Sequence, residues 1–368
     1  METKIGLPSL TISFQKAAQA AANRSKKGYV GVFVRDAKAQ GVHQLTSAAL
    51  IPTELGADNQ AYLQRTFLGY VNPPKKVIAY TTDEEDTNLA QALAYMATQE
   101  FDYLVGPADC SSTEAAAIAT WVDSQRTNNG TKFKAVLPNQ ASDKYPIVNF
   151  AATGMTDGTD TYTTAEYCSR IAGLLAGTPM KISATYAPLP ELTDVDRLTR
   201  DELDAAVNAG KLALKWDGRK VKVARAVNSF VTTSQGMLDS FKKIKIVEIM
   251  DLIRTDITAT AEDSYIGKYA NTYDNKLLLV TAIRGYFMGL EQDDLVQPGY
   301  TVDIDVDAHE QWLTAQGVDT SELTEQEIRD MLQALHSQGL VSVSRGRGGS
   351  RLTRSGQQLY GVLSGAAK

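Results

Sequence analysis

Between Tyr162 and Pro190 the chain reads YTTAEYCSRIAGLLAGTPMKISATYAPLP. Thr163 and Thr164 are residues that cap a helix, and Glu166 places a negative charge near the first turn, where the helix dipole favours it. Ile171, Leu174 and Leu175 recur at helical spacing, with Cys168 one turn earlier. Ala172, Gly173, Ala176 and Gly177 are small enough to let another backbone come close. Gly177 and Pro179 stop the helix. The alternation from Lys181 to Tyr186 predicts a strand, closed by Pro188 and Pro190. Helix, stop, strand and exit in a mostly apolar piece read as a core βα unit.

A chain of 368 residues is too long for one ordinary domain and predicts two or three. Its hydrophobic and charged fractions, 43% and 22%, are those of a globular protein with ample core. Cys110 and Cys168 lie far apart and outside any CxxC or Cys/His cluster, so a disulfide framework is not expected and a reducing compartment at synthesis fits. No run of about 18 apolar residues is present to span a membrane. The start, METKIGLPSLTISF, reads as neither a secretory signal nor a transit peptide. After Asp330 the chain carries Arg345, Arg347, Arg351, Arg354 and Lys368 and no acid, so the remainder holds −11 of a net −6. An acidic body does not suggest nucleic acid as a partner; the basic tail leaves that open.

In residues 1–27, Leu10, Ile12 and Phe14 alternate with Thr11 and Ser13. Such a strand either edges its own domain or adds to the sheet of a neighbouring subunit. Tyr29–Val34 predicts a buried strand, and Phe67–Val71 and Val77–Tyr80 two more around the turn Asn72-Pro73-Pro74. Residues 28–85 thus read as a small, largely β domain. From Asp83 the pattern becomes βαβ. Leu89, Leu93 and Met96 mark a helix, Phe101–Val105 a strand, Ser111 onward a helix, and Phe133–Leu137 and Ile147–Ala151 strands. That rhythm argues for a mostly parallel sheet with helices on its faces. Next come a capped helix in Asp194–Ala209 and a hairpin of Lys211–Trp216 with Val221–Ala226. Helices follow over Met237–Thr260 and Leu277–Leu290, a strand over Tyr300–Val306, a short helix to Gln316, and a last helix from Glu322 to His336.

The histidines are His43, His309 and His336, so the whole stretch 44–308 lacks a His general base, and neither a Ser-His-Asp nor a Cys-His arrangement can be built inside it. There is no HExxH, Walker A or EF-hand loop. Asp303, Asp305 and Asp307 would share one face of a strand and offer a cation three carboxylates, but no glycine turn or distal glutamate completes a calcium loop, so a solvated face is the plainer reading. Asp83 to Asp86 read as a solvated helix start, and Arg345-Gly-Arg-Gly-Gly-Ser is too short for a phosphate loop. No catalytic, cofactor-binding or metal-binding residue is therefore assigned.

Several stretches together resemble contractile bacteriophage tail sheath proteins, closest to the short sheaths of Gram-positive phages and phage-tail-like bacteriocins. They are GLPSLTISF, FKAVLPN, YCSRIAGLLAGTP followed by ATYAPLPE, VKVARAVNSFVT with KIKIVEIMDLI, and VDIDVDAHEQWL followed by GVDTSELTEQEI. They stand in the family's order across roughly residues 5–330. The resemblance implies an α+β multidomain fold: an N-terminal linking arm at 1–27, the small β domain at 28–85, a subtilisin-like α/β domain without catalytic residues at 86–245, and a C-terminal sheath domain at 246–330. It implies no enzyme and no cofactor, but a helical homo-oligomer of stacked rings around a tail tube. Baseplate and tail terminator proteins would be further partners. The lattice, assembled in the bacterial host cytoplasm, would end in a virion tail or phage-tail-like particle and contract to drive the tube through a target envelope. Leu10, Ile12 and Phe14 become candidates for the arm that pairs with a neighbouring subunit.

Residues 331–368 depart from the family pattern as a divergent basic tail. Leu340–Ser344 and Arg351–Thr353 can form the closing strand pair that supplies a second linking arm. The same residues also suit a winged-helix ending, which keeps DNA binding as an alternative beside a non-sheath α/β enzyme.

Overall fold

The computed structural model describes residues 28–270, 273–315, 317, 319–330, 341–343 and 350–352. Strand β1 (Tyr29–Arg35) leads through β2 (Gly41–Leu45) and helix α1 (Ala57–Phe67) to β3 (Lys76–Thr82). Then follow α2 (Ala90–Met96), β4 (Tyr103–Val105), α3 (Ser112–Asn129), β5 (Lys134–Pro138) and β6 (Ile147–Phe150). The short pair β7 (Met155–Thr156) and β8 (Thr161–Tyr162) precedes α4 (Thr164–Ala176) and α5 (Arg200–Asn208). After these come β9 (Lys211–Leu212), β10 (Leu214–Trp216) and β11 (Val221–Val223).

Seven of these strands make one sheet in the order β2-β3-β1-β4-β5-β6-β9. All neighbours are parallel except the edge pair β2 and β3. Parallel strands covered on both faces must be apolar at nearly every position, and YVGVFVR is. Val30, Val32 and Val34 of β1 share a core with Tyr62 and Leu63 of α1 and Ile171, Leu174 and Leu175 of α4. Phe33 of the same strand points the other way, into a core with Met96 of α2 and Ile118 and Val122 of α3. The period-2 alternation thus decides which helices cover which face.

The chain divides between Thr255 and Asp256 into two compact units. Helix α6 (Ile244–Ser264) crosses that point. Beyond it lie α7 (Tyr273–Gln292), α8 (Val306–Ala315) and helical residues 325–330. The antiparallel pair β12 (Val341–Val343) and β13 (Ser350–Leu352) completes the described chain.

The structure corrects several expectations. Residues 28–85 do not form a separate β domain, because β1 lies between β3 and β4 and pairs with both. Phe67 ends α1, and Gly69 turns the chain at φ 59°, so Phe67–Val71 is no strand. Lys181–Tyr186 folds as turns, with Ile182 N–H donating to the Pro179 carbonyl and Tyr186 in the left-handed region at φ 62°. Residues 301–305 are irregular, and helix begins at Val306. Lys211 and Leu212 leave the predicted hairpin to pair with β6. Short apolar runs satisfy a strand period by chance, and only the surrounding contacts decide among the options.

Candidate functional site

In a doubly wound sheet, ligands collect at the carboxyl ends of the strands where the winding direction switches. Here that crevice lies beside β1, between β3 on one side and β4 on the other. The chain's own ion pairs occupy it. Arg35, the last residue of β1, donates through Nε to the Asp86 carbonyl at 2.8 Å and through Nη1 to Asp109 at 2.6 Å. Its Nη2 pairs with Glu114 in the first turn of α3. Glu114 also closes a capping box with Ser111. Beside them Asp36 accepts from Gly56 N–H at 2.7 Å and from Asn59 at 2.9 Å. Burial works to raise its pKa, but these bonds and that of Lys38 N–H together hold it below the usual carboxylate range. The charged groups at the carboxyl ends of these strands thus bind one another.

The reactive side chains are similarly engaged. His43 on β2 sits 2.6 Å from the Ala39 carbonyl. Both cysteines are buried thiols, and burial pushes Cys110 up to about 11 and Cys168 well above the ordinary value. A thiol so far from ionisation is a poor nucleophile at neutral pH. Among the described residues no group of three His, Cys, Asp or Glu is placed to hold a metal. No described helix is long and apolar enough to cross a membrane. Asp305 receives Ala308 N–H and caps α8, while Asp303 pairs with Arg329, so the aspartates 303, 305 and 307 form no shared face. Leu10, Ile12 and Phe14 lie outside the described residues.

A dense network of contacts surrounds α4. Thr163 and Glu166 form the capping box that starts it. A methyl group built on Gly173 would overlap the Thr66 carbonyl oxygen and lie 2.8 Å from its carbon, so α1 and α4 touch backbone to backbone there. Ser169 Oγ adds a bond to the Tyr62 carbonyl at 2.9 Å. Arg170 is buried, with Nη1 donating to the Gly69 carbonyl at 2.7 Å and Nε to Glu191 at 2.5 Å. Tyr167 donates to the same carboxylate. This network fixes the turns before β3 and after α4 to one helix.

A second clamp holds the first half of α6 to the sheet. Tyr103 donates to Glu248 at 2.6 Å, and Lys245 pairs with Glu248 at 2.7 Å. Asp251, one turn on, receives Arg126 at 2.7 Å and Lys134 at 3.1 Å. Burial alone would raise the Asp251 pKa; the Lys134 charge and the Arg126 hydrogen bonds outweigh it and hold the group ionised below the usual range. Sequence reading missed this clamp. The available signal was two acids three residues apart inside the apolar run KIKIVEIMDLI.

The fold and this site define an α/β protein whose strand-end crevice is filled by its own salt bridges and whose centre is close-packed. Residues 57–229 match the family described as phage tail sheath protein central domain, and residues 239–326 the phage tail sheath C-terminal domain. The tail sheath protein of Clostridium phage phiCD119 is 34% identical over 330 residues, covering 88% of this chain and 92% of its own. A sheath tail protein from Listeria innocua shares the fold at TM-score 0.67 and 16% identity, over 81% of this chain and 92% of that one. A chain of the anti-feeding prophage baseplate does so at TM-score 0.55 and 15% identity, over 72% and 78%. The chain belongs to the phage tail sheath family.

Proposed function

We propose that this chain is a sheath subunit that polymerises as a helical lattice around a tail tube and contracts to drive the tube through a target envelope. The observation that carries this is the likeness to the phiCD119 tail sheath protein over nearly the whole length of both chains. No nucleotide chemistry enters the stroke. The energy is that of a lattice assembled in the less stable of two packings of nearly rigid subunits. The two networks around α4 and α6 supply the rigidity such a stroke needs. A subtilisin-like reading of the α/β domain is supported by parallel strands β3-β1-β4-β5-β6-β9 with helices on both faces. Baseplate, terminator and tube proteins are its partners, and assembly takes place in the host cytoplasm before the virion tail is complete.

The linking arms belong to this proposal. Leu10, Ile12 and Phe14 anchor the N-terminal arm in a neighbouring subunit. The pairing of β12 with β13 suits the closing strand pair of a second arm. A winged-helix ending would use the same hairpin as its wing, and a salt-sensitive DNA shift lost on deleting 331–368 would favour that reading. Electron microscopy of the purified protein tests the main one: helical tubes or stacked rings support it, and a protein that stays monomeric at every concentration and salt contradicts it.

A further inference from the structure

The α/β unit carries a pair of cations at one end of its strands and an acidic turn at the other. At the end where β1, β3, β4 and β5 begin, Gly130 terminates α3 in the left-handed conformation at φ 67°. The Lys132 ammonium donates to the Gly130 carbonyl. Arg254, exposed on α6, lies alongside: a methyl group built on Gly130 would sit 3.7 Å from its Nη2. The nearby acid, Asp251, is already taken by Arg126 and Lys134. The guanidinium of Arg254 has no hydrogen-bond or ion-pair partner among the described residues. Burial first, and then the Arg254 charge, pull the Lys132 pKa down to about 8, against the opposing pull of Asp251.

At the opposite end, β3 runs straight into Asp83-Glu84-Glu85-Asp86. The two aspartates are used inside the turn: Asp83 accepts from Gln40 and from Glu85 N–H, and Asp86 from Asn88 and Leu89 N–H. Glu84 and Glu85 are exposed, and their carboxylates have no partner among the described residues.

We propose that Lys132 and Arg254 of one copy dock the acidic turn 83–86 of a second copy of this chain. The two patches lie at opposite ends of one parallel sheet. The contact therefore joins unlike surfaces, head to tail, and repeats from copy to copy as a ring or filament instead of closing as a two-fold dimer. The inference rests on the sheath reading and names one contact of its lattice.

Two charge-reversal proteins test it: Lys132→Glu with Arg254→Glu, and Glu84→Lys with Glu85→Lys. Each alone juxtaposes like charges and should raise the full-length protein's half-assembly concentration, measured by sedimentation and electron microscopy, by about tenfold or more. Mixed in equal amounts, every junction between unlike variants becomes complementary again, so the mixture should recover assembly with the two variants alternating. Rising salt should weaken wild-type assembly. Melting curves check that the variants fold, and Arg254→Glu alone, at an exposed position, replaces the first variant if it does not. Reversal variants that assemble like a wild type that itself polymerises would overturn this contact and leave the sheath reading standing. So would a mixture that fails to recover. A wild type that never polymerises would sink both.

Discussion

Two glycines in helix interiors illustrate how a residue's surroundings set the sign of a substitution. At Gly173 an added methyl meets the Thr66 carbonyl across the α1–α4 contact, and backbone cannot swing aside as a side chain can. Gly173→Ala should destabilise the protein by about 3 kcal/mol or more in urea unfolding, the upper range for overpacking. At Gly285 in α7 an added methyl meets nothing within 4 Å. There Gly285→Ala should stabilise by about 0.5–1 kcal/mol, through the lower entropy of the unfolded chain. A gain at Gly173 or a clear loss at Gly285 would show the packing to be otherwise.

At the scale of elements, the clamp on α6 gives a pH signature. A depressed Asp251 pKa in the folded state contributes stability that is present above the unfolded value of about 3.9 and lost as pH falls through the folded one. Asp251→Asn should cost about 3–5 kcal/mol at pH 7, because Arg126 and Lys134 are left buried without an anion. Urea midpoints at pH 7 and pH 3 check this: the gap between wild type and variant should narrow in acid; a constant gap would mean that folding does not lower the Asp251 pKa, and a gap that widens would mean the carboxyl is protonated in the fold. The elements legible beforehand were those specified locally. Thr163, Glu166 and the Ile171–Leu175 spacing carry α4 within a dozen residues, and Ser111 does the same for the start of α3. What escaped was non-local. Lys181–Tyr186 has a strand's alternation but folds as turns, and the chain meets β11 only from Tyr186 onward, where Tyr186 N–H donates to the Val223 carbonyl; only the β1–β4 pairing reveals that residues 28–85 share the large sheet. Glu248 and Asp251 looked like ordinary helix acids until Lys134 and Tyr103, more than a hundred residues away, were brought beneath them.

For the whole molecule, the proposed stroke needs stiffness in the unit that ends at Thr255 and linkage at the termini. Deleting residues 1–20 should leave the thermal melt of the α/β unit nearly unchanged while abolishing intact sheaths in electron micrographs; truncated protein that still forms contractile sheaths would dismiss the arm. The central claim is that the subunit moves as a body. Cryo-electron microscopy of assembled particles before and after contraction tests it most directly. Residues 28–255 should superpose between the two states to about 1 Å, with the Gly173–Thr66 contact and the Asp251 ion pairs intact and the rearrangement falling between copies. A sheet that shears internally, or an Asp251 clamp that opens during the stroke, would contradict it.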